Sequence, residues 1–162
     1  MLMGIMADSH DNMEKLRKAV EILNQRGAVL LLHAGDFIAP FTSKAFKELK
    51  VKKFVGIYGN NDGEKFGLRE KFAPLGSIFL PPYSLKFNGH HILMLHDGTL
   101  VNSLAKSGDF HLIVYAHSHK ADLRKEGETL IVNPGELGGW LYGKSTFALV
   151  DLERDYREII NL

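Results

Sequence analysis

The sequence predicts an α/β (α+β) fold, two packed mixed β-sheets forming a β-sandwich flanked by helices. Three observations predict it. Apolar runs alternate with amphipathic helical stretches through the first half, the pattern of parallel strands joined by crossover helices. The second half is dominated by short β-type runs separated by turn signals. Most of these runs end in a residue able to ligate a metal ion.

The elements follow in order. Residues 2–7 read as a buried strand. Residues 11–25 read as a helix, with Asp11 as its cap and Glu14 as the return partner. Leu16, Ala19, Val20 and Leu23 form its apolar face, and Gly27 ends it. Residues 28–32 are continuously apolar, as expected of a strand covered on both faces. Pro40 opens a second helix running to Leu49, since proline suits a first turn. Residues 53–58 make a third strand and 64–72 a short helix. Residues 77–80, 84–87 and 91–95 then read as short strands, with Asn88-Gly89 a hairpin turn. A helix over 100–106 and a strand over 111–115 come next. Strands over 121–125 and 129–132 flank a turn at 126–128, and 146–152 with 156–160 form a closing hairpin. No repeat, low-complexity segment or linker interrupts the chain, so residues 1–162 are expected to form one domain.

Composition excludes several function classes. The formal net charge is +1, and Lys50, Lys52 and Lys53 merely flank one strand. That argues against a nucleic-acid partner, which would require a clustered basic face. Cysteine is absent, which removes disulfides and thiolate-ligated metals and fits the cytoplasm. The apolar start lacks the charged residues and cleavage site of a signal peptide. No apolar stretch approaches the ~20 residues of a membrane span.

The chemistry lies in a recurring set: Asp8-x-His10, Gly35-Asp36, Gly59-Asn60-Asn61-Asp62, His96 and His117-x-His119. Asp8 and His10, two apart after a strand, can face one point from a tight loop. Asp36 carries two carboxylate oxygens and could bridge two cations. Asn60 offers a neutral carbonyl oxygen, and His117 and His119 repeat the i, i+2 spacing. A histidine alone at a strand end is ordinarily a hydrogen-bonded loop residue, and Gly-Asn-Asn-Asp alone is a plain turn. The joint pattern delivers oxygen and nitrogen donors from many strand ends to one rim. Two metals held about 3.5–4 Å apart can clamp a phosphate ester and supply the hydroxide that cleaves it.

In order and spacing these motifs resemble the calcineurin-like metallophosphoesterases, most closely the short prokaryotic YfcE-like phosphodiesterase branch. The resemblance runs from Asp8 to Asn133-Pro134-Gly135. It implies a four-layer β-sandwich with helices outside and a binuclear metal centre. By position, Asp8, His10, Asp36 and His119 would hold the first metal. Asp36, Asn60, His96 and His117 would hold the second, with Asp36 bridging. Manganese is the expected metal, with nickel, iron or zinc also suited to oxygen and nitrogen donors. A hydroxide bridging the metals would attack phosphorus in line with the leaving oxygen, with Asn60, Asp36 and His96 closest to the chemistry. The implied substrate is a small-molecule phosphodiester, and self-association into dimers or tetramers accords with the family.

Several positions depart from the family pattern. The residue after the ligand asparagine is often a histidine that protonates the leaving group, and here it is Asn61. Its amide donates no proton at neutral pH, a loss of general-acid catalysis typically worth ~10²–10⁴-fold. That favours diesters and activated leaving groups. Many relatives read His-Gly-His where this chain reads His96-Asp97-Gly98; Asp97 reads better as a solvated loop acid than as a partner orienting a histidine. Ala116 replaces a usual glycine. Glu136 replaces a usual serine and, facing the site, would repel anions.

Other residues carry less. His33 reads equally as a partner behind the ligands or as packing; His90, His91 and His111 read as sheet residues. Asp62 could hydrogen-bond a ligand such as His10, or cap its turn. Trp140 could wall the substrate cleft or cover an oligomer contact. Two other functions compete. One is a non-catalytic metal-binding scaffold for protein contacts, similar to the retromer subunit of this fold; the complete donor set argues against it. The other is a nuclease, against which the missing basic face argues.

Overall fold

The computed structural model describes residues 1–162. Its first sheet contains β1 (Met3–Met6), β2 (Leu30–His33), β3 (Lys53–Ile57), β4 (Gly76–Phe79), β10 (Thr146–Asp151) and β11 (Tyr156–Asn161), in the order β11-β10-β1-β2-β3-β4. Strands β1 to β4 are parallel, while β10 joins β1 antiparallel and β11 closes the edge. The second sheet contains β5 (Tyr83–Phe87), β6 (His90–Met94), β7 (Leu112–Val114), β8 (Asp122–Glu126) and β9 (Thr129–Asn133), in the order β5-β6-β7-β9-β8. Both sheets are mixed, as expected.

The layers follow from side-chain alternation. Ile5, Leu30, Leu32, Val55 and Ile57 of the first sheet meet Ile92, Met94, Leu112, Val114, Leu130 and Val132 of the second. The opposite face of the first sheet, including Met6, Leu31 and Phe54, is covered by α1 (Met13–Arg26) and α2 (Lys65–Phe72). Leu16, Ala19, Val20 and Leu23 of α1 are the buried residues, the face the 3.6-residue period selects. Leu93, Ile113 and Ile131 turn outward under α3 (Val101–Lys106). The result is helices, sheet, sheet, helix, and central strands buried on both faces are why their sequences are continuously apolar. No helix is long and apolar enough to cross a membrane.

Two expectations need correction. The cap of α1 is Asn12, whose side chain accepts the Lys15 N–H; Asp11 Oδ1 instead accepts the Ala39 N–H at 2.9 Å. Glu14 pairs with Lys18, one turn on. The stretch opened by Pro40 is a 3₁₀ turn over Pro40–Phe46 rather than an α-helix to Leu49. The strand expected over 77–80 forms as β4 and lies in the first sheet, parallel to β3, although its sequence sits beside the hairpins. The Asn88-Gly89 turn forms as expected, with φ of 48° and 79°.

Candidate metal centre and active site

The parallel strands β1, β2 and β3 end on one rim, as do β6 and β7, so their following loops converge. The loops are tight enough to force left-handed backbone. Asp8, His10, Asp36, His117 and His119 have φ of 49°, 40°, 59°, 69° and 59°. Each such non-glycine residue costs of order 1–3 kcal/mol, and such strain clusters at functional sites. Hydrogen bonds knit the loops together: Asp8 N–H donates to Gly35 O at 3.0 Å and His10 N–H to Asp36 O at 3.1 Å. Glycine is required at two contacts. A Cβ on Gly35 would lie 2.7 Å from His96 Nδ1, and one on Gly59 would lie 2.5 Å from Asp36 N.

All seven predicted donors come together. Asp8, His10, Asp36 and His119 place ligand atoms within 4.8 Å of one another, a group able to hold a metal ion. Asp8 Oδ1, His10 Nε2 and His119 Nδ1 are buried without a hydrogen-bond partner. Such orphaned groups are rare in folded proteins and call for a ligand. Burial, with Asp36 adjacent, pushes the Asp8 carboxyl up to about 8, and burial holds His10 below its usual value. A cation relieves both, because it rewards an ionised carboxylate and a neutral imidazole.

The remaining donors gather beside this group. His96 Nε2 and His117 Nδ1 approach Asn60 Oδ1 at 2.8 and 2.9 Å, and His96 Nε2 is 3.6 Å from Asp36 Oδ2. His96 Nδ1–H donates to Ala34 O at 2.8 Å, so in the neutral ring the Nε2 lone pair faces the Asn60 carbonyl oxygen. Two acceptors meeting head-on are reconciled by a shared cation. The donor chemistry therefore fits divalent metals at both positions.

The surrounding residues set these donors. Asp62 does not reach His10. Its buried carboxylate accepts N–H bonds from Asp36 (2.9 Å), Gly59 (2.7 Å) and Ile38 (2.8 Å), so its work is closer to the turn-capping reading. Asn61 donates its backbone N–H to Asp36 Oδ1 at 2.9 Å and its amide to Asp36 Oδ2 at 2.8 Å. Asp97 accepts the Thr99 N–H and is exposed, the loop-acid reading. His33 is fully buried against Phe37, pushed down to about 3 by burial and therefore neutral. Its Nδ1 accepts the Gly35 N–H, so Nε2–H donates to Ser9 Oγ, which in turn donates to Asp36 O.

Two features escaped the sequence. Glu136 is buried and faces the site, lining the same pocket as His10 and His119. Its carboxylate lies 3.3 Å from His119 Nδ1 and accepts N–H bonds from Trp140 (2.7 Å) and Leu141 (3.1 Å). It thereby clamps the rim loop on which Trp140 stands, and the Trp140 indole N–H donates to His10 O at 3.0 Å. Trp140 walls a 310 Å³ pocket with His10, Asn61 and His119, which places it at the cleft. The second feature is a larger cleft on the Asn60 and His96 side, for which Pro81-Pro82 was the one available signal.

Two stacked mixed sheets with a carboxylate–imidazole cluster at their strand ends define a metal-site hydrolase architecture. The chain belongs to the calcineurin-like phosphoesterase superfamily, whose domain model matches residues 1–155. It is 34% identical to Phosphodiesterase MJ0936 of Methanocaldococcus jannaschii, over 99% of each chain. A solved archaeal phosphodiesterase superposes with a TM-score of 0.93 at 31% identity, covering 100% of both chains. The phosphoesterase YfcE of E. coli shares the fold, with a TM-score of 0.70 at 17% identity, covering 99% of this chain and 98% of the other.

Proposed function

We propose that the protein is a divalent-metal-dependent phosphodiesterase acting on a small or activated phosphodiester. One observation carries the reading: Asp8 Oδ1, His10 Nε2 and His119 Nδ1 converge beside Asp36, buried and without hydrogen-bond partners. Asp8, His10, Asp36 and His119 would hold one cation, and Asp36, Asn60, His96 and His117 a second. Bound there, divalent cations would neutralise phosphoryl charge and make hydroxide available at neutral pH for in-line attack on phosphorus. Manganese is the metal to load first; nickel, iron and zinc also suit oxygen and nitrogen donors. The phosphodiesterase named for the Methanocaldococcus relative supports the diester assignment.

The chain's own groups do the positioning. The Ala34 carbonyl fixes the His96 tautomer, as a partner behind a ligating histidine does. The His117 N–H holds Asp8 Oδ2 at 3.1 Å. Asn61 gives Asp36 two hydrogen bonds that favour its ionised form. Neither Asn60 nor Asn61 supplies a proton at neutral pH, so the leaving alcohol departs without general-acid help. Good leaving groups gain most from such a site. The test is hydrolysis of bis-p-nitrophenyl phosphate by metal-stripped protein reloaded with Mn²⁺. Turnover that appears with metal and vanishes in chelator is expected, and His10→Ala abolishes it. No turnover with metal bound would refute the proposal.

A further inference from the structure

Three loops enclose a cleft of 740 Å³ that the reading above leaves unused. Tyr58, Asn60 and Lys65 come from the β3–α2 segment, Leu80, Pro81 and Pro82 from the β4–β5 connection, and Leu95, His96 and Leu100 from the β6–α3 segment. Asn60 and His96 therefore belong both to this cleft and to the donor cluster. A phosphate on the donors would have one of its ester arms directed along these walls. Resting on the phosphodiesterase reading, we infer that this cleft seats the non-reacting arm of the substrate, and that the arm is an apolar aryl group.

The walls define that chemistry. Leu80 and Leu100 are left 68% and 61% exposed at the cleft, although a folded chain ordinarily buries leucine. Exposed apolar surface gathered around a concave site is typical of a ligand groove. Pro81 and Pro82 hold their φ angles by ring closure, so that wall is formed before a ligand arrives. Charge on the walls is scarce and already engaged. The Lys65 ammonium donates to Asp62 O at 2.7 Å and sits 5.8 Å from the centre of the Tyr58 ring. Asp97 Oδ1 accepts the Thr99 N–H. One cation against one carboxylate offers no excess charge to a polyanionic arm, so a polynucleotide is not the occupant. A flat apolar group gains instead, stacking over Leu80, Pro81 and Leu100.

The test compares phenyl p-nitrophenyl phosphate with methyl p-nitrophenyl phosphate, which lose the same leaving group and differ only in the retained arm. The phenyl-to-methyl ratio of kcat/KM is measured in the Mn²⁺-loaded wild type and in the Leu80→Ser, Leu100→Ser double variant. Both positions are exposed, and serine at residue 100 suits the N-cap of α3. Taking the ratio against wild type cancels the intrinsic reactivity of each ester. Burying roughly 60 Å² of ring surface predicts a fall in the ratio of about tenfold in the variant. An unchanged ratio overturns the inference. If the wild type hydrolyses neither ester, the phosphodiesterase reading has failed separately, and calorimetric binding of phenylphosphonate against methylphosphonate decides the cleft. Phenyl binding about tenfold tighter, lost in the variant, supports it; equal affinities, or no binding of either, overturn it.

Discussion

Replacing Asp62 by alanine removes the buried acceptor for the N–H groups of Asp36, Gly59 and Ile38, while every proposed metal-ligating side chain is kept. Two of those donors, on Asp36 and Gly59, become buried and unpaired. Each unsatisfied buried group costs about 1–3 kcal/mol. Against this stands the cost of keeping Asp62 ionised, since burial raises its pKa above the usual carboxylate value. Its removal recovers part of that penalty, leaving a net loss of about 2–4 kcal/mol. For a chain of this size that lowers Tm by roughly 6–12 °C. Asp62→Asn keeps an oxygen toward Asp36 and Gly59 and fails only Ile38, for a loss of about 1 kcal/mol. Urea unfolding of the metal-free variants gives both numbers. The Asp36 loop is also loosened, so Mn²⁺ affinity measured by calorimetry drops in Asp62→Ala. Stability of Asp62→Ala within experimental error of wild type would refute the reasoning, as would Asp62→Asn proving equally damaging.

Three further outcomes are expected. Gly59→Ala drives a methyl into the Asp36 carboxylate and backbone, so Mn²⁺ binding collapses, whereas Gly63→Ala, with open space around its Cβ, binds as wild type in the same titration. Asn61→His raises monoester hydrolysis relative to diester hydrolysis, by returning a proton donor beside Asp36; an unchanged ratio would mean that residue 61 does not serve the leaving group. Asp8, raised from 3.8 to about 8 by burial and Asp36, carries a proton in the metal-free protein at neutral pH. Metal must displace that proton, so Mn²⁺ affinity falls about tenfold per pH unit below 8, with proton release visible in buffers of different ionisation heat. The sign for stability is opposite: the metal-free fold favours protonated Asp8, so this contribution is present at low pH and is lost as pH rises through about 8.

Much of the candidate site was legible because each of its converging side chains follows an apolar run, and a strand end is a place where side chains of distant segments can meet. The central strands were legible for a related reason. Runs such as residues 28–32 are apolar without alternation only where both faces are covered. What was hidden depended on tertiary partners. Asp11 and Asn12 are adjacent and both suit a cap; the Ala39 N–H, brought in from the far side of β2, takes Asp11 and leaves Asn12 to the helix. The 3₁₀ turn after Pro40 packs Thr42, Ala45 and Phe46 inward at a spacing near three, which an eye set for 3.6 reads as helix. The sheet to which β4 belongs was not legible, because nothing in residues 76–79 states whether they pair with β3 or with the following hairpin. The clamp made by Glu136 was hidden because the backbone N–H groups it serves, on Trp140 and Leu141, carry no mark in the sequence.

The central claim is a two-cation centre with Asp36 common to both halves, and metal stoichiometry tests it most directly. The measurement is elemental analysis of Mn²⁺-reconstituted protein after removal of free metal, for wild type, Asn60→Ala and Asp36→Ala. The account predicts two equivalents per chain in wild type, about one in Asn60→Ala, and loss of most metal in Asp36→Ala. A single equivalent in wild type, or full occupancy in Asp36→Ala, would contradict it.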